Sequence, residues 1–197
     1  AYKTGAPVVG IYDSNGAAVA EGLDAMAAYG EMLNLSNSLS GVVPQISLVL
    51  GVCAGSAALA AASADFVVMS EKAEFFLSTG DVATSSDAAT AAKDGVAHIV
   101  AKDEAEAIAS ARTLLSMLPS NNLSAAPMCD FSAPAANFTG SMLEAAKSIV
   151  DADSLMELQA GFGTGAKVAL ATMAGSTVGV VCASVDGKLT SRDCTKI

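Results

Sequence analysis

The 197-residue chain carries 20 Asp and Glu against 10 Lys and Arg, a net charge of −10. That balance argues against nucleic acid as a partner, because phosphate binding draws on a basic surface. It leaves room for a local basic pocket. Apolar residues make up 52% of the chain but aromatic ones only 5%, with no Trp, so the core is built of Ala, Val, Leu and Met and suits tightly stacked layers. The length suffices for one sizeable core or parts of two domains.

In chain order, APVVGIYDS (6–14) is a short apolar run closed by a turn signal and predicts a buried strand. SNGAA (14–18) is a loop of small residues. From Glu21 to about Leu39, apolar residues recur near helical spacing, and Gly41 ends that helix. VPQISLVLG (43–51) predicts the next buried strand, with Pro44 at its start. GVCAGSAALAAASADF (51–66) then reads as a turn leading into a helix. DFVVMS (65–70) and AEFFLST (73–79) predict strands, GDVATSSDAATAAK (80–93) a weak helix, and GVAHIV (95–100) a short strand or tight connection. Residues 102–118 predict an amphipathic helix whose acidic first turn suits the helix dipole. The Pro, Ser, Asn and Ala of 119–140 read as a linker. A helix over 141–150 follows, then strands near 155–159, 166–173 and 176–184, and a helix opening at the last residues.

Strands alternating with helices give an α/β layered fold. The strands are continuous apolar runs, as expected where both faces are covered. Residues 32–64 contain no charged side chain, which raises a membrane span. Pro44, Gly41, Gly51, Gly55 and several amides interrupt the stretch, and its many Ala give little drive for insertion, so the soluble reading is preferred. Cys53, Cys129, Cys182 and Cys194 show no CxxC and no metal-ligand spacing. They predict free thiols in a reducing compartment, a cytoplasmic location and no metal site. No signal-peptide pattern is visible. The absence of an initiator Met and the stop inside an opening helix suggest an excerpt of a longer protein.

The usual catalytic tools are scarce. There is one histidine, His98, no GxSxG, no HExxH and no P-loop. A lone His in GVAHIV is more often structural than a catalytic base. GFGTGA (161–166) is one residue short of a GxGxxG and is read as a turn. What remains is backbone: two small-residue loops, SNGAA and CAGSA, each following a strand and preceding a helix. Amides from two such loops can bind an oxyanion. Close helix–sheet packing explains Gly/Ala runs equally well, and on composition alone it is the preferred explanation.

GAPVVGIYDSNGAAVAEGLDAMAAYGEM, GVVPQISLVLGVCAGSAALAAASADFVVM, FFLSTGDV and GVAH occur here in that order. In them the chain resembles the carboxyltransferase subunits of biotin-dependent acyl-CoA carboxylases and decarboxylases. The resemblance runs from about residue 5 to 122 and resumes more weakly over 141–197. It implies a crotonase-like fold, a spiral of ββα units, with two such domains per subunit in a homo-oligomer. Residues 1–122 would be the back part of the N-terminal domain, 123–140 a linker, and 141–197 the opening part of the C-terminal domain.

The same resemblance implies the chemistry: a carboxyl group moves between carboxybiotin and the α-carbon of an acyl-CoA. The N–H groups of Ala17 and Ser56 would form the oxyanion hole for the thioester. Gly16 and Gly55 would keep the approach open, with Ala57 beside them on the substrate side. Biotin would come on a carrier protein or domain, and a biotin carboxylase subunit or a decarboxylase membrane subunit would complete the system. The Glu of crotonase hydratases is replaced by Leu59, which argues against hydratase chemistry. Two departures stand out. The family's Gly-Gly is Gly55-Ser56 here, and its DSGGARIQEG is DSNGAAVAEG, so Ala18 and Ala20 replace an Arg and a Gln. These departures keep open a non-catalytic paralogue serving as a scaffold subunit. A further alternative is another crotonase-fold enzyme, a thioester hydrolase or isomerase, for which no acid or base is evident.

Overall fold

Strand β2 (Gln45–Ala54, QISLVLGVCA) is the spine of the first of two compact units. The structure is a computed structural model describing residues 1–77, 87–134, 140–183 and 187–197. The first unit comprises Ala1–Leu115 and Ser120–Ser124; the second comprises Ser116–Pro119 and Ala125–Ile197.

In the first unit β2 pairs along one edge with β1 (Val8–Ser14). Along the other edge its first half pairs with β3 (Phe66–Ser70) and its last residues with β4 (Glu74–Phe76). β3 in turn pairs with β5 (Ile99–Ala101). Each of these strand pairings is parallel, so apart from the short β3–β4 turn the connections cross back over the sheet. Helix α1 (Leu23–Leu39) joins β1 to β2, and α2 (Ser56–Ala62) joins β2 to β3. Helix α3 (Ala88–Lys93) precedes β5, and α4 (Glu104–Met117) follows it.

Local chemistry fixes the helix starts. The Asp87 carboxylate accepts the Thr90 amide at 2.7 Å and caps α3. Asp103 accepts the Glu106 amide at 2.9 Å, while the Glu106 carboxylate accepts the Lys102 amide at 2.8 Å, a reciprocal clamp on α4. Helix α4 then buries Ala107, Ala111 and Leu114, one stripe at helical spacing.

The core lies between the sheet and α2 and α3. Val49, Cys53, Val67, Met69 and Phe75 from the strands meet Ala57, Ala58, Ala61, Ala88 and Ala91 from the helices. The alanine run after Ser56 is therefore a packing feature: a methyl group is what lets the helix lie close on the sheet.

The first strand differs from expectation. β1 alternates half-buried and exposed positions, with Val9 and Ile11 facing out. Among the described residues it pairs only with β2, so it is an edge strand with one open face. The charge-free stretch 32–64 spreads over the end of α1, all of β2 and α2. Among the described residues no helix is long and apolar enough to cross a membrane. The short strand near 95–100 begins at Ile99, and the expected positions 78–86 lie outside the described residues.

The second unit holds an antiparallel sheet, β6 (Met156–Leu158), β7 (Ala166–Met173) and β8 (Ser176–Ala183), in that order. Helices α5 (Met142–Lys147) and α6 (Ser191–Lys196) accompany it. Part of the stretch read as a linker is built into this unit: the Cys129 amide donates to the Gly175 carbonyl at 2.8 Å. Residues 135–139 lie outside the described set. The GFGTGA turn is held by two buried side chains of α6. Asp193 accepts the Gly165 amide at 2.8 Å. Lys196 donates to the carbonyls of Gln159, Phe162 and Ala166 at 2.8, 3.0 and 3.1 Å.

Candidate functional site: two backbone loops at one end of the sheet

Because β1 and β2 run parallel, the loops that follow them emerge at the same end of the sheet. The register breaks there. Tyr12 stands opposite Val49, but Ser14 stands opposite Cys53, so β2 carries the extra residues of a bulge. Asp13 occupies the space over Gly51, where any Cβ would collide with its carboxylate. The bulge brings the first loop down onto the second.

Gly16 makes the contact. A Cβ built on it would lie 2.7 Å from the Ala54 carbonyl oxygen and 3.8 Å from the Gly55 α-carbon. Its φ of +94° is also one that side chains disfavour. Its amide donates to Ser14 Oγ at 3.2 Å. Ala17, half-buried, follows directly.

Gly55 has φ 60° and ψ −126° at the N-cap of α2, a conformation open essentially to glycine. Its amide donates to the Phe76 carbonyl at 2.8 Å, which ties the loop to β4. Among the described residues a Cβ here would meet nothing within 4 Å. Ser56 and Ala57 open the helix, where no earlier helical carbonyl can accept their amides. Among the described residues no acceptor is found for the amides of Ala17, Ser56 or Ala57. The structure thus brings Gly16, Ala17, Gly55, Ser56 and Ala57 together at one end of β1 and β2.

The serine at 56 costs the loop nothing. The non-glycine residues with positive φ are Asp153, Gln159 and Ala174 among those described, so Ser56 needs no glycine conformation. Ala18 and Ala20 are exposed. Neither contributes to the core. Leu59, one turn along α2, is 52% exposed. It stands on the side of the helix facing away from the buried alanines and brings no acid or base.

Other reactive groups are placed elsewhere or silenced. His98 Nδ1 accepts the Val67 amide at 3.0 Å, and its own amide donates to the Val67 carbonyl at 2.9 Å. Its ring meets Phe66 edge-on. Burial lowers its pKa below 6.5, with Asp65 opposing the shift. It sits where β3 begins, opposite the start of β2, whereas the loops lie at the far end. His98 bonds Val67, which stands opposite Ser47, so most of the length of β2 separates it from the loops. Cys53 lies just before the second loop, but burial pushes its thiol up to about 11 and it has no exposed surface. It is no nucleophile. Tyr12 is held above its ordinary value by burial, with a hydrogen bond to Ser47 opposing. Among the described residues no three His, Cys, Asp or Glu side chains come close enough to hold a metal.

Sequence reasoning missed Ser14 and Asp13 as parts of this site. A serine two residues before a glycine is a turn signal of the hydroxyl type and could have marked Ser14. Nothing local marks Asp13, whose place depends on the bulge in β2.

The carboxyl transferase domain model matches residues 1–192. The methylmalonyl-CoA carboxyltransferase 12S subunit of Propionibacterium freudenreichii subsp. shermanii is 35% identical over 206 residues, covering 92% of this chain and 39% of that protein. The methylmalonyl-CoA decarboxylase subunit alpha of Veillonella parvula is 41% identical over 143 residues, covering 66% of this chain and 28% of that one. The chain therefore spans well under half the length of these relatives. A crystal structure of the transcarboxylase 12S hexamer with hydrolyzed methylmalonyl-coenzyme A superposes with a TM-score of 0.79 at 33% identity. It covers 91% of this chain and 40% of that one. The expected α/β, crotonase-like fold is thus the observed one. Matched over almost its whole length, the chain belongs to the carboxyl transferase domain family.

Proposed function

We propose that this chain is part of an acyl-CoA carboxyltransferase, moving a carboxyl group between carboxybiotin and the α-carbon of an acyl-CoA. The observation that carries the reading is the Gly16–Ala54 contact. It holds two loops, each with unspent amides, side by side at the open end of the sheet.

The amides of Ala17 and Ser56 would face the thioester oxygen as charge builds there, with Ala57 next to them. Donors already in place when charge develops need no reorganisation and act strongly where water is excluded. Gly16 and Gly55 let the thioester reach the main chain. When bound, a carrier's biotin would supply the carbon dioxide and take the α-proton, so this chemistry asks no side-chain base of the loops. The chain itself orients the thioester and stabilises its charge.

Further parts of the reading are inferred from the relatives. Residues 1–122 would belong to an N-terminal carboxyltransferase domain, 123–140 to a linker and 141–197 to the start of a C-terminal one. A biotin carboxyl carrier, a biotin carboxylase or decarboxylase membrane subunit, and further copies of the chain would be its partners. The cysteines, free in the structure, suit a cytoplasmic location. The Ala18 and Ala20 departures favour one second reading, a non-catalytic scaffold paralogue.

The test is the natural full-length protein incubated with malonyl-CoA, with and without free biotin. Biotin-dependent decarboxylation is the expected result. Biotin-independent turnover would replace the reading with a hydrolase or isomerase, and CoA binding without turnover would replace it with a scaffold.

A further inference from the structure

We infer that Ser14 is a positioning residue for this site, fixing the first loop so that the Ala17 amide is the one left free. The inference rests on the carboxyltransferase reading above. Ser14 is the last residue of β1 and is half-buried. Its hydroxyl oxygen accepts the Gly16 amide at 3.2 Å. Of the two amides at the tip of the loop, that bond occupies one, and the other has no acceptor among the described residues.

The loop is held at three points. Asp13 rests on Gly51 at the register break, Ser14 takes the Gly16 amide, and Gly16 lies against the Ala54 carbonyl. The first and third are matters of packing and of glycine backbone. The second is a single side-chain hydrogen bond, removable without adding a side chain at Gly16 or altering the sheet pairing. Without it, Gly16 has no described acceptor and can turn toward the substrate. An oxyanion donor acts through being already placed, so loosening it slows the chemical step more than it weakens ground-state binding.

The experiment uses the natural full-length protein, malonyl-CoA and free biotin. Ser14→Ala should lower kcat about 3- to 10-fold, the scale of one hydrogen bond. KM for malonyl-CoA and the thermal unfolding midpoint should stay near wild type. Ser14→Thr, which keeps the hydroxyl, should restore kcat. If Ser14→Ala does not fold, Ser14→Cys takes its place, since a thiol is a poorer acceptor, with the same expected fall. A wild-type kcat in these variants overturns the inference, as does a loss that threonine fails to restore. Wild-type protein with no biotin-dependent turnover would sink the functional reading itself, whereas normal wild-type turnover with an indifferent Ser14 sinks only this step.

Discussion

Single residues in this chain do opposite work at the two ends of β2. At the start, His98 is a structural acceptor for the Val67 amide. Its pKa is lowered in the folded state, so the unfolded chain binds the proton more readily. Stability should then be full above pH 6.5 and be lost as pH falls from 6.5 through the lowered folded value. Denaturant midpoints at pH 7.5 and pH 5.5 read this directly. His98→Asn, which keeps an acceptor near Nδ1 but does not titrate, should flatten the difference. His98→Ala should cost about 1–3 kcal/mol at pH 7.5, the scale of an orphaned buried amide. At the far end of the strand Cys53 is predicted to stay unlabelled by iodoacetamide at pH 8, while Cys194, exposed on α6, reacts. Peptide mass mapping of the natural protein distinguishes them, and labelling of Cys53 at the rate of Cys194 would contradict its burial.

Whole elements show what pattern alone can and cannot reveal. β2, α2, β3 and α4 were legible because each has one dominant signal: an apolar run, an alanine run, or an acidic start before a periodic face. The openness of β1 was not, because VVGIY reads as a buried strand whether or not a neighbour covers its second face. The loops of the candidate site were legible as small-residue turns. Their mutual contact was not, since it depends on a bulge that sequence does not mark. The β7–β8 hairpin gives a sharper case. Ala174 and Gly175 both have positive φ, 50° and 78°, as a two-residue primed turn demands. The buried Asp151 carboxylate accepts both amides, at 2.9 and 2.8 Å, and the Thr172 hydroxyl at 2.8 Å. Burial pushes its pKa up, but these bonds prevail and leave it below the ordinary 3.8. Ala174 is the strained partner in that turn. Ala174→Gly should therefore stabilise the protein by roughly 1 kcal/mol, read as a higher unfolding midpoint. A lower one would show that the alanine methyl contributes more than its strain costs.

At the scale of the molecule, the proposed chemistry rests on main-chain amides working where side chains would obstruct. Gly16 is the residue on which both halves of that claim meet, the close approach of the loops and the φ of +94°. The most direct measurement is the kcat of Gly16→Ala in biotin-dependent decarboxylation of malonyl-CoA by the natural full-length protein. The account predicts a fall of about 10²–10³-fold, the scale of losing one oxyanion donor, with KM much less affected. A kcat within about twofold of wild type would contradict it, because it would mean that the two loops can part without consequence for the reaction.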